Sequence, residues 1–431
     1  MNILVVGAAG FIGSHLVRRL LEAGHDVTPC GTDPAKQRRL FPERRCLAVD
    51  YSRDSAEVWV PRLADVDVVI NAAGLIRETG HRTYRAVHTE GPIALFDACL
   101  TAGVDRLLQV SALGADAGAA TRYHLSKRAA DDHLAALDPA VERLEWCVLR
   151  PSLVLGPGAR STELFAALAA APLPIRLGPG SWLVQPIHID DLTAIVDRLL
   201  RSPQPWPRRL DLVGPEPVDT DRLVAAFRAW LGEPPRPFLP TPVPVLRAAA
   251  WLGDRLGGAV PVTGESLAML MRGNVAPVAP LIESTGYRPK GLEATLAAIP
   301  ATTGERWRAK LWPLRAPLRI SLALLWIATG LVSLGLYPLE SSLALLAEVG
   351  LGGATALAAL YLAALWDLLL GAALLVRFRP VLVGALQLAT MAAFTLIITM
   401  FLPEAWLHPF GAITKNVPLA LATMVMMGLE D

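Results

Sequence analysis

The chain opens with the stretch Asn2-Ile-Leu-Val-Val6, followed at once by Gly7-Ala-Ala-Gly10-Phe-Ile-Gly13. The short, continuous apolar run predicts a strand that is buried on both faces, and the text after it has a helical pattern through Ala23. Glycines between a strand and a helix let the backbone approach a pyrophosphate, whose charge faces the N-terminus of the helix. The opening therefore predicts a dinucleotide site.

Five more strand candidates follow, separated by helix-like text. They lie at 26–30, 46–49, 66–71, 106–110 and 146–150. Strands that alternate with helices build βαβ units and a parallel sheet. The sequence therefore predicts an α/β fold, a Rossmann-type doubly wound parallel sheet, in which residues 151–300 supply a small substrate lobe at the carboxyl edge where ligands bind.

A second chemical signal lies in the stretch Tyr123-His-Leu-Ser-Lys127. The spacing i, i+4 puts Tyr123 and Lys127 on one face of a helix, and an ammonium next to a phenol lowers the pKa of the phenol. Such a tyrosine could exchange a proton with a carbonyl or alcohol oxygen while a hydride moves to or from a nicotinamide. Ser111, just past the fifth strand, could hydrogen-bond the same oxygen. The other interpretation of this spacing is an amphipathic helix with a solvated lysine.

Seven stretches together resemble the short-chain dehydrogenase/reductase superfamily, in particular its extended and atypical members and the subgroup related to the 39 kDa NADH-dehydrogenase accessory subunit. The matching text is GAAGFIG at 7–13, LAVD at 47–50, NAAG at 71–74, QVSALGADAG at 109–118, YHLSK at 123–127, LRPSLVLGPG at 149–158 and QPIHIDDL at 185–192. The resemblance covers residues 1–300 and implies a Rossmann fold with a bound NAD(P).

By family role, the resemblance assigns a catalytic triad to Ser111, Tyr123 and Lys127. It also assigns a cofactor site, with Asp50 on the adenine and Pro151 near the nicotinamide. The cofactor-binding residues are Gly7, Gly10, Phe11, Ile12, Gly13, Thr32, Asp50, Ala72, Ala73, Gly74, Tyr123, Lys127 and Pro151. The segment 188–191 matches the family too, and we interpret it as structural, a strand end leading into a helix that is capped by an Asp.

The end of the second predicted strand bears on the choice of cofactor. An acid there selects NAD and a base selects NADP. Asp33 could bind a ribose or start a turn, and the cations Lys36, Arg38 and Arg39 could meet a 2′-phosphate or form a solvated helix face. Thr32 stands where many NADP-binding atypical members have an Arg. From the subgroup resemblance we favour NADP(H) over NAD(H).

The last part of the chain is far more apolar than the first. Hydrophobic residues make up 53% of the 431 residues and charged residues 18%, whereas a soluble domain has about 25% charged residues. Charges nearly vanish after Arg319. We predict an all-α four-helix transmembrane bundle with spans near 318–337, 354–376, 380–402 and 412–429, since roughly 20 apolar residues cross a bilayer as helix. The alternative is a set of buried helices in a soluble core.

The positions of Lys and Arg predict how these spans are oriented. Basic residues precede the first span and separate the second from the third, and the other two connections have no Lys or Arg. The positive-inside rule then puts both termini and the nucleotide domain on the cytoplasmic side of the inner membrane, in a multi-pass protein. We place the domain boundary between residues 311 and 312.

The stretches Trp406-Leu-His408-Pro-Phe-Gly411 and Lys415-Asn416-Val-Pro418 resemble the DoxX-like membrane domain, which is found fused to oxidoreductases of the atypical subgroup. Within the predicted spans, Asp367 is an ionisable residue near a span centre. Such a carboxylate marks a functional site, or it holds helices together by hydrogen bonds, with Gln387 and Thr390 as partners on the next span. Both interpretations stay open.

Charge and cysteine content exclude other classes of site. The net charge of +1 provides no global positive field to attract nucleic acid. The four cysteines are far apart in the sequence, which predicts free thiols in a reducing compartment and neither a disulfide framework nor a metal site. They are Cys30, Cys46, Cys99 and Cys147.

The sequence thus predicts a membrane-anchored NAD(P)-dependent oxidoreductase that moves a hydride between the nicotinamide and a carbonyl or alcohol, with Tyr123 as the acid/base. Its location suits a lipophilic small-molecule substrate. One alternative is a non-catalytic NADP(H)-binding module that senses redox state or supports a membrane complex. Another is a carrier or quinone-binding bundle that the nucleotide domain regulates. A membrane-protein partner and a homo-oligomer both stay open.

Overall fold

The computed structural model describes residues 1–137, 144–255, 262–298, 300–407, 409, 411 and 413–430. They form two compact units, Met1–Arg306 and Trp307–Asp431. The strands are β1 (Asn2–Val6), β2 (Asp26–Gly31), β3 (Leu47–Ala48), β4 (Val68–Asn71), β5 (Arg106–Val110), β6 (Glu145–Pro151), β7 (Val154–Leu155), β8 (Ile175–Leu177), β9 (Leu183–Val184), β10 (Ile187–His188), β11 (Arg209–Leu212), β12 (Val218–Asp219) and β13 (Leu239–Thr241).

The helices up to the apolar region are α1 (Phe11–Glu22), α2 (Pro34–Leu40), α3 (Ala56–Trp59), α4 (Gly91–Ala102), α5 (Arg122–Leu137), α6 (Arg160–Ala170), α7 (Ile189–Arg201), α8 (Thr220–Trp230), α9 (Val243–Arg255), α10 (Gly264–Arg272), α11 (Ala279–Thr285), α12 (Leu292–Ala298) and α13 (Thr303–Leu311). Those that follow are α14 (Arg315–Leu331), α15 (Leu339–Glu348), α16 (Gly353–Leu375), α17 (Pro380–Phe401) and α18 (Asn416–Glu430). A π-helical turn, Arg85–Glu90, leads into α4, and another, Val332–Leu336, ends α14.

The first unit is built on one parallel sheet of seven strands in the order β3-β2-β1-β4-β5-β6-β11. Its first six strands follow the Rossmann order 3-2-1-4-5-6. The predicted fold is therefore confirmed, and each predicted strand is present. The third is the shortest, because β3 pairs with β2 through only two residues, Leu47 and Ala48.

The sheet separates two hydrophobic cores. Ile3 and Val5 of β1 pack on one face with residues of α1 and α7, and Leu4 and Val6 pack on the other face with residues of α4 and α5. Burial on both faces explains why β1 is a continuous apolar run without polar alternation.

The segment that we predicted as a substrate lobe is divided by the structure. β11 pairs with β6 at the edge of the main sheet, and α7 packs in the same hydrophobic core as α1. The rest of the segment contains three short strand pairs, β7–β10, β9–β12 and β8–β13. The prediction that an Asp caps α7 is wrong. The cap is His188, whose Nδ1 accepts the Asp190 N–H at 3.2 Å. Asp191 is buried in the first turn of the helix and accepts hydrogen bonds from the Tyr287 hydroxyl and the Lys290 N–H.

The second unit is helical. Among the described residues, three segments are long and apolar enough to cross a membrane: Thr303–Leu336, Gly353–Leu375 and Pro380–Phe401. The fourth predicted span corresponds to α18, which has 15 residues and is shorter than expected. Its first predicted residue, 412, and His408 lie outside the described residues. α15 occupies the connection between the first two predicted spans.

Small residues let two of these helices approach closely. A Cβ at Gly330 of α14 would lie 2.8 Å from the backbone oxygen of Ala364 in α16, and a Cβ at Gly371 would lie 2.8 Å from the oxygen of Ala323. Without a hydrophobic driving force in lipid, such close backbone packing is a principal source of helix association.

Polar side chains lie inside this helical unit. Asp367 and Gln387 are buried, and the Oδ1 of Asp367 and both amide atoms of Gln387 have no hydrogen-bond partner among the described residues. The predicted partner Thr390 instead accepts from Trp366 Nε1 at 3.0 Å and donates to the oxygen of Leu386. Thr390 was expected as a partner of Asp367 because it lies on the next span, but position on a neighbouring span does not set the rotation of a helix about its axis.

The basic residues that flank the predicted spans meet one carboxylate. The Glu430 side chain is 1% exposed and lies 3.1 Å from Arg315, 3.2 Å from Arg319 and 2.9 Å from Arg377. Arg319 also donates to the backbone oxygen of Leu374 at 3.0 Å. These contacts join α14, the C-terminal end of α16 and α18 at one end of the unit.

Candidate active site

The glycine turn after β1 is a tight packing site. Gly7 has φ +80° and its N–H donates to the oxygen of Cys30 at 2.9 Å. A Cβ at Gly7 would lie 2.7 Å from Ala73 N, and one at Gly13 would overlap the backbone oxygen of Gly7. Side chains are therefore excluded from the space between the turn, the start of α1 and the end of β4.

The start of α1 suits an anion. Its N-cap is Gly10, which is exposed and has no side chain to bond the first-turn N–H groups, and no acidic residue lies in that turn. The N–H groups of Phe11, Ile12 and Gly13 belong to the first turn, which lacks intrahelical acceptors. The side-chain-free surface and the helix N-terminus together fit a dinucleotide pyrophosphate.

The other predicted cofactor residues follow the carboxyl ends of the parallel strands, which meet at one edge of the sheet. Thr32 follows β2, Asp50 follows β3, Ala72, Ala73 and Gly74 follow β4, and Pro151 ends β6. The structure thus brings these residues to the same edge as the glycine turn.

Asp50 is engaged within its own turn. Its Oδ1 accepts from Ser52 N at 3.0 Å and from Ser52 Oγ at 2.6 Å, and these hydrogen bonds hold the pKa of its carboxyl below the usual value. Arg53 lies 3.8 Å from its other oxygen. The carboxylate is therefore ionised and partly exposed at the sheet edge.

The end of β2 resolves one of the alternatives for Asp33. Its carboxylate caps α2 by accepting the Lys36 N–H at 2.9 Å. Lys36, Arg38 and Arg39 are exposed on α2. Gln37 is buried, its amide has no partner among the described residues, and its Nε2 would lie 3.0 Å from a Cβ at Gly31. No sequence pattern predicted this buried amide.

The predicted helix with Tyr123 and Lys127 is α5. Lys127 is buried, and its Nζ donates to the oxygen of Val110 at 2.9 Å and to that of Ala73 at 3.3 Å. Burial lowers the pKa of Lys127 to about 8. Because Ala73 also packs against Gly7, a single backbone segment contacts both the glycine turn and the Lys127 ammonium.

The expected lowering of the Tyr123 pKa is wrong. Burial, with smaller contributions from the nearby Tyr84 and Asp131, raises the pKa of Tyr123 to about 12. The physical reason is that the Lys127 ammonium donates to two backbone carbonyls, whereas the phenol lies among aromatic rings, with His88 at 5.2 Å and Tyr84 at 6.0 Å between centroids.

His88 is a site residue that sequence reasoning missed. It is 0% exposed, its Nε2 accepts the Leu75 N–H at 3.0 Å, and its Nδ1 lies 3.0 Å from Ser126 Oγ. Burial, and secondarily the Lys127 charge, lowers the pKa of His88 to about 2. A neutral imidazole that accepts at Nε2 carries its hydrogen on Nδ1, so His88 connects the loop after β4 to α5.

Ser111 makes a contact that the sequence did not predict. It is buried directly after β5, and its Oγ donates to Oδ2 of Asp131, which is 1% exposed. Asp131 lies on the same face of α5 as Tyr123 and Lys127, at spacing i+8 from the tyrosine. Burial raises the pKa of Asp131 to about 6. The spacing from Tyr123 was the one available signal for this residue.

An apolar cleft lies elsewhere in the first unit. Its lining includes Leu155, Phe227, Trp230, Leu292 and Leu296, and it contains none of the three residues predicted as a triad. Among the described residues, no group of three or more His, Cys, Asp and Glu side chains could hold a metal ion.

Comparison with known proteins gives two family matches. Residues 3–210 match the NAD dependent epimerase/dehydratase family, and residues 323–424 match the DoxX-like family. The chain thus carries an epimerase- and short-chain-dehydrogenase-like domain followed by a DoxX-like domain, which confirms both resemblances.

Three curated relatives illustrate the similarity. The chain is 31% identical to the ceramide reductase of Caulobacter vibrioides over 208 residues, which are 47% of this chain and 61% of that protein. It is 26% identical over 301 residues, 67% of this chain and 77% of the relative, to NADH dehydrogenase [ubiquinone] 1 alpha subcomplex subunit 9 of Mus musculus. With the 2-alkyl-3-oxoalkanoate reductase of Stenotrophomonas maltophilia it shares 28% identity over 214 residues, 44% of this chain and 62% of the relative. The chain thus spans less than two thirds of both reductases.

Solved structures show the same fold. The UDP-glucose 4-epimerase of Thermotoga maritima, solved with UDP-glucose, has a TM-score of 0.53 at 18% identity, covering 69% of this chain and 98% of the epimerase. The UDP-glucuronic acid 4-epimerase of Bacillus cereus, solved with UDP-glucuronic acid and NAD, has a TM-score of 0.53 at 21% identity, covering 72% of this chain and all of that one.

Proposed function

We propose that this protein is a membrane-bound NADP(H)-dependent reductase of a carbonyl on a lipophilic small molecule. The observation that carries the proposal is the position of Ala73, whose backbone contacts Gly7 of the glycine turn and accepts from Lys127 of α5 at 3.3 Å. One backbone segment therefore links the surface suited to a pyrophosphate with the helix that carries Tyr123. A bound nicotinamide would supply the hydride.

Tyr123 is the proton donor in this proposal. With a pKa of about 12, the phenol is protonated at neutral pH. It can therefore give a proton to a carbonyl oxygen as negative charge develops there, which is general acid catalysis. The high pKa favours reduction over alcohol oxidation, since oxidation would need a phenolate as the base.

Lys127 fixes α5 relative to the ends of β4 and β5. Its ammonium has three hydrogens, and two of them are directed at the carbonyls of Val110 and Ala73. The third hydrogen can be donated to a cofactor hydroxyl or to an oxygen of the substrate. Lys127 thereby places a positive charge at the carboxyl ends of β4 and β5.

The preference for NADP(H) rests on the residues after β2. The Asp33 carboxylate already accepts the Lys36 N–H, so part of its capacity to bind a ribose hydroxyl is used. Thr32 adds no negative charge, and the exposed Arg38 and Arg39 belong to the adjoining helix α2. Because little negative charge is free here and two cations lie nearby, this arrangement favours binding of the 2′-phosphate of NADP(H).

A lipophilic substrate is supported by two observations. Ile76 and Leu125 are 52% and 47% exposed; the Ile76 carbonyl accepts from Tyr84, whose ring packs on Tyr123, and Leu125 lies two residues from Tyr123 on α5. The printed names of two relatives are those of reductases, one of ceramide and one of 2-alkyl-3-oxoalkanoates. The DoxX-like helices would keep the enzyme at the inner membrane, with the nucleotide domain on the cytoplasmic side.

The test uses the purified full chain in lipid nanodiscs, with NADPH and a series of long-chain ketones. Tyr123→Phe should lower kcat by about 10²–10⁴-fold and leave the Kd for NADPH unchanged. Tyr84→Phe is the matched control, because it removes a neighbouring phenol whose hydroxyl donates to the Ile76 carbonyl at 2.6 Å, and it should retain most of the activity. Equal turnover in wild type and Tyr123→Phe would exclude the proposal.

The second candidate is a non-catalytic NADP(H)-binding module of a membrane complex. It is favoured by the similarity to the mouse NADH dehydrogenase subunit, which extends over 67% of this chain. In that case NADPH binds, no carbonyl compound is reduced, and the protein is recovered in a larger membrane assembly after mild solubilisation.

A further inference from the structure

The Ser111–Asp131 pair joins two elements that are distant in the chain. Ser111 follows β5 and is fixed by its own N–H, which donates to the oxygen of Leu149 at 2.8 Å. Its hydroxyl donates to Asp131 Oδ2 on α5. A serine hydroxyl has one hydrogen and two acceptor sites. While that hydrogen is directed at Asp131, Ser111 can only accept a hydrogen bond from a substrate.

No cation forms an ion pair with Asp131 among the described residues. On its own helix, Lys127 donates to two carbonyls. From the neighbouring strands, Arg150 pairs with Asp211 at 2.6 Å, and Arg209 lies 3.1 Å from Asp132. The Oδ1 of Asp131 is buried without a partner in the described part of the chain.

Burial therefore dominates the ionisation of Asp131. It raises the pKa of this carboxyl to about 6, although the Ser111 hydrogen bond and the charges of Lys127, Arg209 and Arg150 act in the opposite direction. Both the acid and the carboxylate are accordingly populated in the neutral pH range.

We propose that Asp131 is a positioning residue that sets the hydrogen-bonding role of Ser111, and thereby the direction of reaction that the site favours. When Asp131 is protonated, its O–H donates to Ser111 Oγ, and the serine hydrogen is free to donate to a substrate carbonyl beside Tyr123. When Asp131 is ionised, Ser111 donates to it and can only accept from a substrate alcohol. The two states differ by one proton, which the Asp131 carboxyl exchanges with solvent; the serine keeps its own O–H bond, and only the acceptor of that hydrogen changes.

The alternative is that the Ser111–Asp131 pair has only a structural role and holds α5 against the end of β5. A purely structural pair would keep this function in Asp131→Asn, because an amide can also hydrogen-bond Ser111, and the pH dependence of catalysis would not change. The two interpretations therefore differ in the pH profile of the Asn variant.

The inference rests on the proposed reductase activity, and its first test is the pH dependence of carbonyl reduction by the full chain in nanodiscs. In wild type, kcat/KM for reduction should fall about tenfold per pH unit above the titration of Asp131. Asp131→Asn should remove this decline, because an amide does not titrate. Asp132→Asn is the matched control; it neutralises the adjacent carboxylate on the outer side of α5 and should keep the wild-type profile. A wild-type profile in Asp131→Asn overturns the proposal.

A second measurement does not require turnover. The fluorescence of bound NADPH, followed against pH, should show a transition in wild type that Asp131→Asn abolishes. Ser111→Ala should move that transition to higher pH, because it removes the hydrogen bond that stabilises the carboxylate. If no ketone is reduced but these shifts occur, the proposed function fails and the coupling of Ser111 to Asp131 stands. If the transition is the same in all three proteins, the coupling is excluded. If Asp131→Asn does not fold, Ser111→Ala alone tests the coupling: a transition at higher pH supports it, and an unshifted transition excludes it.

Discussion

His88 and Leu75 are joined by a hydrogen bond of 3.0 Å in which the buried imidazole Nε2 accepts the backbone N–H. The bond fixes the loop after β4, which carries Ala73 and Gly74, to the π-helical turn that contains His88. The other ring nitrogen of His88 lies 3.0 Å from Ser126 Oγ on α5, the helix that carries Tyr123. The neutrality of His88 is necessary for this contact, since a protonated ring has no acceptor.

The first prediction concerns this imidazole. Its pKa is lowered to about 2, so the folded state binds fewer protons than the unfolded state below pH 6.5. Stability should therefore fall by up to ~1.4 kcal/mol for each pH unit below about 6.5. His88→Gln keeps an acceptor for Leu75 and should remove this dependence, as followed by urea unfolding between pH 5 and 7. His133→Gln, at a partly exposed histidine, is the control. An unchanged acid dependence in His88→Gln contradicts the prediction.

The second prediction separates packing from cofactor binding at the glycine turn. A Cβ at Gly13 would overlap the oxygen of Gly7, so Gly13→Ala should cost about 2–4 kcal/mol of stability. A Cβ at the exposed Gly10 would lie 3.1 Å from the same oxygen, so Gly10→Ala should fold and weaken NADPH binding at least about tenfold. Gly24→Ala has open space and φ +83°, and should cost only about 1 kcal/mol without affecting NADPH. Thermal unfolding and fluorescence titration measure the two effects, and equal NADPH affinity in Gly10→Ala would argue against the assigned turn.

The third prediction tests the choice of cofactor. Neutralising Arg38 and Arg39 together with Gln should raise the Kd for NADPH about tenfold or more and leave the Kd for NADH unchanged, because only NADPH has the 2′-phosphate. Arg18→Gln, an exposed cation on α1, is the control and should change neither value. The measurement is isothermal titration with each cofactor. A parallel weakening of both cofactors, or none, would remove the basis for favouring NADP(H).

The fourth prediction concerns Glu430. Its side chain is 1% exposed among three arginines, so Glu430→Gln would leave Arg319, which is also buried, without a counter-charge. Removing one partner of a buried ion pair typically costs about 3–5 kcal/mol. We expect a lower midpoint of thermal unfolding for the full chain in detergent, whereas Glu340→Gln, at an exposed site, should be neutral. Equal midpoints would show that the cluster does not stabilise the helical unit.

The fifth prediction is the topology. Reporters fused after residues 345 and 408 should register on the outer face of the membrane, and one fused after residue 378 on the cytoplasmic face, because the basic connections stay inside. Alkaline phosphatase and green fluorescent protein fusions give opposite signals on the two sides. A cytoplasmic signal after residue 345 or 408 would exclude four crossings, and the length of α18 makes the 408 fusion the more informative one.

Much of the fold follows from local patterns. The apolar run before Gly7, the alternation of strands and helices, and the placement of Tyr123 and Lys127 on one helix face depend on residue type and spacing over a few positions. The three long apolar helices follow from composition over about 20 residues. These features can be predicted from the sequence because each is set by interactions within one segment or by burial of the whole segment.

The chemistry of the site was less accessible to sequence reasoning. The pKa of Tyr123 is raised because the phenol is buried among rings while Lys127 is held by two carbonyls, and neither fact is set by the i, i+4 spacing. Likewise, Ser111 meets Asp131 only because β5 and α5 pack together.

By itself, therefore, the sequence determined a Rossmann-type domain, its glycine turn, the placement of Tyr123 and Lys127 on one helix and an apolar helical domain. Only the tertiary structure decided that β11 completes the sheet, that His88 holds the loop after β4 and that Ser111 is paired with a buried carboxylate. The physical reason is that burial and contacts between distant segments set ionisation and hydrogen-bond direction, and both arise only when the segments pack.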